Sequence, residues 1–308
     1  MKKISIVVPI FNEEDIIEEL LNRICEICKS INYSIELLVV NDGSHDNTLN
    51  ILKSKISLIP FLKIINLSRN FGHQSAYMAG LSIADGDAVI MMDGDLQDPP
   101  EFIPELIKKW NENNDIVLAA RKSRNETFIR KILFTCFHKF FRFISDHPMP
   151  VNSGMFCLID KVVATELNKM PERNRFIPGL RDWLGFKSTV AWYDRDKRFK
   201  GKPKQSFVKL LNMACDAIFS FSYKPLRLIL LFGFFISSIS IIYAITLFIL
   251  RIIKIDYVKG FTTPTVAILF LGGLILFSLG ILGEYLGRIY DEVKQRPIFI
   301  ISEIISYK

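Results

Sequence analysis

The acids Asp93, Asp95 and Asp98, with Gln97 among them, follow an apolar run in the stretch Val89–Glu101, read as VIMMDGDLQDPPE. An apolar run that breaks into acid and then into Pro99-Pro100 reads as a buried strand whose C-terminal tip carries the carboxylates. Asp93 and Asp95 are two apart, so an extended backbone turns both to the same side. Paired carboxylates at a strand tip suit a hard divalent cation shared with phosphate oxygens. An acidic surface turn is the plainer reading of the D-x-D alone. The surrounding elements decide between the two.

Those elements alternate. Ile4–Ile10 reads as a first strand, Glu13–Lys29 as a helix, and Ile35–Val40 as a second strand that ends in Asn41-Asp42-Gly43-Ser44. His45–Lys55 is helical, Leu62–Leu67 a third strand, Gln74–Ala84 a helix and Ala88–Met92 the strand with the acidic tip. A helix over Glu101–Glu112 and a strand over Ile116–Ala120 follow, then a strand over Ser153–Ile159 and a helix over Lys161–Lys169. This order predicts an α/β fold, a parallel sheet with helices on both faces. Ligands of such sheets lie beyond the C-terminal strand ends. Here those ends carry Pro9 to Glu13 (with Asn12), Asn41 to Ser44, Ser68-Arg69-Asn70 and the D-x-D, so all four polar clusters should meet on one edge. No G-x-G-x-x-G follows the first strand and no Walker A sequence is present, which argues against dinucleotide and P-loop sites. A nucleotide held by side chains, with a metal on its diphosphate, fits better. Asp42 could bond base or ribose edges, and Gly43 permits close approach of backbone. Each of these residues taken alone is an ordinary turn residue.

With 308 residues, 50% of them hydrophobic, and a mean hydropathy of +0.26, the chain is too apolar for an ordinary soluble domain. The excess sits in Leu228–Leu250 and Phe261–Gly283, neither of which holds an Asp, Glu, Lys or Arg. Each is about 23 residues long, against roughly 20 needed to cross a hydrocarbon core. The division expected is a soluble domain over 1–204, an amphipathic juxtamembrane helix over 205–226, spans over 227–253 and 261–287, and a cytoplasmic tail over 288–308. The opening MKKISIVVPIFNEE is a first strand rather than a signal peptide, which places the large domain in the cytoplasm. The five cysteines then stay reduced. Cys25 and Cys28 form a C-x-x-C inside a helical pattern, where core packing is the expected role.

The net charge of +7 has no nucleic-acid motif beside it, and its basic residues cluster next to the apolar segments, which favours a membrane surface and an anionic substrate. Phe128–Ile144 reads as a basic amphipathic helix lying on lipid. The densest basic run, YDRDKRFKGKPKQSF, contains Arg195, Arg198 and Lys204 around Gly201 and Pro203, so it is a loop that meets anionic lipid, grips phosphate, or both. Ser206–Tyr223 is again amphipathic. Glu284 and Arg288, one helical turn apart, should pair at the membrane edge. Gly272, Gly273 and Gly280 permit close helix packing and so a homo-oligomer.

VVPIFNEE, VVNDGS, LSRNFGHQSA, MDGDLQDPPE and the closing GEYLGRIYDEVKQRP together resemble the polyprenyl-phosphate glycosyltransferases of glycosyltransferase family 2, over nearly the whole chain. The two-span tail is most similar to the bacterial bactoprenyl glucosyltransferases within that group; dolichyl-phosphate mannose synthases are the other branch. The resemblance implies a Rossmann-like GT-A fold, a nucleotide-sugar donor, Mg2+ or Mn2+, and a polyprenyl phosphate acceptor in the cytoplasmic membrane. By motif, Pro9, Asn12, Glu13, Asp42, Gly43, Ser44 and Arg69 would hold the nucleotide sugar. Asp93, Asp95 and Gln97 would hold metal and diphosphate, and Arg195, Arg198 and Lys204 the acceptor phosphate. Asp93, Asp95 and Arg198 would carry the catalysis.

One position departs from that group. Several bactoprenyl members carry an acidic residue in the segment written here NSGMFCLIDK, at the place of Met155. A phosphate monoester has a second pKa of about 6, so the acceptor arrives largely as a dianion and needs positioning more than deprotonation. The missing carboxylate therefore bears more on the identity of the sugar than on activity. Glucose from UDP-glucose is favoured, with N-acetylhexosamine, mannose or aminoarabinose behind it, and the lipid-linked sugar would serve cell-envelope glycan modification. A processive polysaccharide synthase would carry Q-x-x-R-W, and Arg181-Asp182-Trp183 lacks the Gln. An inactive membrane scaffold would be expected to lose the D-x-D, which is intact.

Overall fold

Along β1 (Lys3–Ile10), Ile4, Ile6, Val8 and Ile10 enter one core and Val7 enters another, all of them buried. A sheet covered on both faces requires strands that are apolar at every position, and this is why the strand segments show no polar alternation. In the computed structural model, residues 2–121, 153–173, 175–193, 224–252 and 262–307 are described. After β1 come α1 (Ile17–Ser30), β2 (Ser34–Asn41), α2 (Thr48–Lys55), β3 (Leu62–Leu67), α3 (His73–Ile83) and β4 (Ala88–Met91). A 3-10 turn at Pro100–Phe102 leads into α4 (Ile103–Trp110) and β5 (Ile116–Arg121). Then follow β6 (Ser153–Asp160), α5 (Lys161–Lys169), α6 (Ile177–Trp183), β7 (Ser188–Tyr193), α7 (Lys224–Ile252), α8 (Thr262–Lys294) and β8 (Ile301–Ser306).

The strands form one sheet in the order β7-β5-β6-β4-β1-β2-β3-β8. Pairs β1–β2, β1–β4, β2–β3 and β5–β7 are parallel, while β6 runs antiparallel to β4 and β5, and β8 antiparallel to β3. The result is the mostly parallel sheet that the β-α alternation predicts, in the GT-A-like form that the resemblance implies. Residues of α1, α2 and α4 fill the core on one face, and residues of α3, α5 and α6 fill the other. Cys28 is buried in the first core, where burial and the neighbouring Cys25 push its thiol up to about 12. That is the packing role expected of the C-x-x-C.

Two helices begin later than their sequence pattern suggests, for one shared reason. α1 starts at Ile17 rather than Glu13, and α2 at Thr48 rather than His45. The intervening residues bond across to each other instead: the Asn47 amide donates to Glu14 Oε2 at 2.9 Å, and the Glu13 amide to Thr48 Oγ1 at 3.0 Å. The bonds hold two loops together at the price of one helical turn each.

The second apolar run lies in α8, whose segment Phe270–Lys294 is long and apolar enough to cross a membrane, with hydropathy 1.7 and none of that window buried. The apolar stretch of α7, Ile229–Tyr243, is shorter. Both helices expose large side chains, among them Phe234 at 74% and Leu276 at 71%. An apolar surface of that extent is stable only against lipid or protein. This hairpin associates the chain with the membrane. Arg288 and Glu284 pair across one turn at 2.8 Å, as their spacing predicts.

Beyond α8 the chain comes back to the sheet. Glu292 Oε1 accepts from the Arg173 amide at 2.7 Å, Ile298 and Phe299 pack against the second core, and β8 pairs with β3 from Lys63↔Ser306 onward. Residues 301–306, which the sequence places in the tail, thus form an edge strand of the sheet. The segments Phe128–Ile144 and Ser206–Tyr223, expected as amphipathic helices, and the basic run with Arg195, Arg198 and Lys204 lie outside the described residues.

Candidate active site at the strand ends

The C-terminal ends of β4, β1, β2 and β3 are neighbours on one edge, and each contributes a loop. The loops after β1 and β2 are knitted together. The Asn12 amide donates to Ser44 Oγ at 3.0 Å, and the His45 amide to Asn12 Oδ1 at 2.9 Å. Asn12 holds a left-handed φ of 52°, a conformation Asn tolerates better than most residues. At the next strand end, the Asn41 side-chain amide donates to Asn66 Oδ1 at 2.7 Å.

Asp42 is 3% exposed and organises the loop after β3. Its Oδ1 accepts from the Phe71 amide at 2.7 Å and its Oδ2 from the Gly72 amide at 2.9 Å. Burial raises its pKa, with these two amides pulling the other way. Both oxygens are therefore engaged with backbone at the start of α3. Gly43 sits against the same loop: a Cβ there would lie 2.5 Å from the Arg69 carbonyl carbon and 2.6 Å from the Asn70 nitrogen, and its φ is +68°. Only glycine fits such a contact. The Arg69 guanidinium rests 4.1 Å over the Phe71 ring.

The D-x-D loop lies across the end of β1. A Cβ on Gly94 would come within 2.7 Å of Ile10 Cγ2 and 2.9 Å of the Pro9 carbonyl oxygen, so the glycine between the two acids lets this loop sit on buried Pro9. Asp95 receives the Gln97 amide on Oδ1 at 3.1 Å and the Gln97 side chain on Oδ2. Gln97 thus braces Asp95. Asp93 is met from the helix side: Tyr77 donates its hydroxyl to Asp93 Oδ1 at 2.7 Å, and His73 Nε2 lies 3.0 Å from the same oxygen. Desolvation works against a charge on His73, but the bond to Asp93 and the charges of Asp93, Asp95 and Asp42 outweigh it and raise its pKa. Further along the loop, Asp98 is buried and accepts from the Tyr193 hydroxyl at the end of β7. Met155 opens β6 beside this loop, within 3.8 Å of Gln74 Nε2 through its sulfur.

The structure therefore brings Pro9, Asn12, Glu13, Asp42, Gly43, Ser44, Arg69, Asp93, Asp95 and Gln97 to one edge of the sheet. No role falls to His73 or Tyr77 on the sequence alone, and Asp98 stands there only as one of the acids at the strand tip. His73 and Tyr77 lie within or just after the LSRNFGHQSA stretch, one helical turn apart, a spacing that puts them on one face of α3. That spacing was the available signal.

The pattern of Glycosyl transferase family 2 matches residues 5–167, and that of the GtrB C-terminal hairpin matches residues 224–289. The chain belongs to glycosyl transferase family 2. It is 44% identical over 304 residues to an uncharacterized glycosyltransferase of Synechocystis, covering 98% of this chain and 95% of that one. It is 40% identical over 302 residues to the prophage-derived bactoprenol glucosyl transferase of Shigella flexneri, covering 98% of each. Among solved structures, glucosyl-3-phosphoglycerate synthase from Mycobacterium tuberculosis superposes with a TM-score of 0.52 at 19% identity, over 71% of this chain and 78% of that one, and so shares the fold. This protein is a glycosyltransferase, similar along its length to bactoprenol glucosyl transferases and carrying the GtrB C-terminal hairpin.

Among the described residues no three His, Cys, Asp or Glu side chains converge into a self-sufficient metal cage. Two braced carboxylates on one short loop nevertheless fit a hard cation whose other positions are taken by diphosphate oxygens. Oxygen donors of this kind select Mg2+ or Mn2+ over softer metals.

Proposed function

We propose that this glycosyltransferase moves a hexose, glucose in first place, from a UDP-sugar to polyprenyl (undecaprenyl) phosphate with inversion at the anomeric carbon. The observation that carries this reading is the 40% identity with bactoprenol glucosyl transferases along 98% of the chain. The D-x-D at the sheet edge and the apolar hairpin that follows the catalytic domain support it. An oxygen of the lipid phosphate attacks the anomeric carbon, the bond from that carbon to the diphosphate breaks, and UDP leaves with the electron pair.

Asp93 and Asp95 would hold Mg2+ or Mn2+, which supplies Lewis-acid neutralisation of the departing diphosphate. Gln97 keeps Asp95 oriented, and Tyr77 and His73 do the same for Asp93. Asn12, Ser44, Asp42 and Gly43 shape the loops on which the nucleoside rests, with Pro9 and Glu13 supporting them and Arg69 at the rim. Met155 is not ionisable, so no base is available at that place, and none is needed by an acceptor whose second pKa is about 6. Arg195, Arg198 and Lys204 are assigned to the acceptor phosphate on their charge and their position next to the membrane segments. Because β7 precedes the hairpin and β8 follows it in the same sheet, the chain must cross the bilayer an even number of times. This supports a hairpin whose flanking segments lie on one face of the membrane, which the reading above takes to be the cytoplasmic one.

The test is to incubate the purified enzyme with polyprenyl phosphate and a panel of labelled nucleotide sugars. Label from UDP-glucose should enter the lipid fraction with release of UDP. Transfer from a different donor would reassign the sugar, and no transfer to lipid from any donor would overturn the acceptor as well.

A further inference from the structure

The D-x-D is usually considered from the ligand side, but the contacts to Asp93 come from behind it. Tyr77 is wholly buried, on the face of α3 that packs against the sheet. Its ring meets His73 edge-on, with centroids 4.9 Å apart and planes at 81°, and its hydroxyl reaches Asp93 Oδ1 at 2.7 Å. A buried phenol must place its hydroxyl on a partner. Here the partner is a carboxylate, which makes the bond charge-assisted and about twice as strong as a neutral one. The ring cannot wander, because α3 lies very close to β1: a Cβ at Gly80, three residues on, would fall 2.2 Å from Val7 Cγ1. The phenol is thus a rigid strut from the core to the first carboxylate beyond β4.

From this geometry we infer that Tyr77 is a positioning residue, which holds Asp93 in the orientation that receives the divalent cation and the donor diphosphate. The inference rests on the metal assignment above and adds to it a group that touches neither metal nor substrate. A carboxylate on a short loop can turn about two bonds, and an incoming cation would otherwise have to stop that rotation. The Tyr77 bond stops it beforehand from the buried side, beside the half-exposed His73 on the same oxygen. Partners that orient a metal ligand from behind in this way are worth about 10–100-fold in metal affinity when removed. A tyrosine used only to fill the core would leave metal affinity unchanged on losing its hydroxyl.

Tyr77→Phe separates these cases, since it keeps the ring in the core and deletes only the donor. Binding of Mn2+ to the full-length protein in detergent, followed by electron paramagnetic resonance of the free ion in the presence of UDP, should weaken by about tenfold or more. UDP binding measured without metal should stay as in the wild type. Tyr77→Met, which also lacks the hydroxyl and suits a buried helix, carries the same test should Phe fold poorly. Wild-type Mn2+ affinity in a folded Tyr77→Phe protein overturns the inference while leaving the metal assignment intact. Absence of UDP-dependent Mn2+ binding in the wild type overturns both.

Discussion

Asp95 shares its short turn with Gln97, is only half-buried and belongs to neither apolar core, so it can be removed without opening a cavity there. Asp95→Ala should therefore fold and insert normally yet fail in transfer. Lewis-acid stabilisation is worth several kcal/mol, and with about 1.4 kcal/mol per tenfold in rate the loss should be roughly a thousandfold. Turnover near that of the wild type, or full activity in excess chelator, would remove the metal from these carboxylates. Gly43 makes the opposite case. A methyl there meets the backbone of Arg69 and Asn70 at 2.5–2.6 Å, and no side chain can swing aside to make room. Gly43→Ala should push the loop after β3 away from Asp42 and weaken UDP binding by at least about tenfold, which calorimetry on the detergent-solubilised protein would show. Both residues could be read in the sequence, because a D-x-D and a D-G at strand ends announce themselves. Tyr77 could not. Its chemistry depends on a helix face meeting a strand tip, a relation that only the assembled sheet creates.

Among the elements, the strands and the helices between them were legible because burial on both faces writes itself as unbroken apolar runs punctuated by polar loops. Helix starts were less legible, since Asn12, Glu13 and Glu14 spend their hydrogen bonds on the neighbouring loop. β8 gave no signal at all: ISEIIS after a long helix has no local feature that names β3 as its partner. The opposite end of the sheet holds its own device. Glu36, 3% exposed, accepts from Lys63 Nζ at 2.6 Å and Ser5 Oγ at 2.7 Å, with the Asp85 amide at 3.2 Å and Lys3 Nζ at 3.4 Å. Burial alone would raise its pKa, but the bonds from Lys63, Ser5 and Asp85 and the charge of Lys3 outweigh it, and the folded-state value is lowered. A lowered carboxylate contributes stability that is complete above its ordinary value of 4.5 and is lost as pH falls through the folded value. Melting temperature followed from pH 7 downward should thus show wild type above Glu36→Gln at neutrality, with the two curves converging in acid below about 4.5. Curves that stay parallel would show that the Glu36 charge contributes nothing.

At the scale of the whole molecule, the catalytic sheet and the membrane hairpin are joined on the far side of the hairpin as well as the near side. The Ser68 amide donates to the Ile300 carbonyl at 2.9 Å, Ser302 Oγ to the Asn66 carbonyl at 2.9 Å, and Lys53 pairs with Glu303 at 3.0 Å. These contacts lie next to the loop that Asp42 organises. A protein ending at residue 297 should keep the rest of its sheet but lose several backbone hydrogen bonds, each worth about 1 kcal/mol. For a domain of this size, roughly 3–4 kcal/mol corresponds to a fall of about 10 °C in melting temperature. UDP affinity should drop with it as the loop after β3 loosens. An unchanged melting temperature and UDP affinity would make β8 a passive appendage.

The return of β8 also sets an order of events during synthesis. Asn66 and Ser302 are 236 positions apart, so β3 leaves the ribosome long before its outer neighbour exists. Throughout that interval β3 is an open strand edge, the kind of surface that recruits wrong partners. The segment that closes it is translated only after α7 and α8, when the apolar hairpin is already being delivered to the bilayer. Completion of that edge thus follows synthesis of the hairpin in time. A nascent chain whose hairpin goes astray would be left with an unfinished sheet, marked for the cell's quality control before it ever met a sugar.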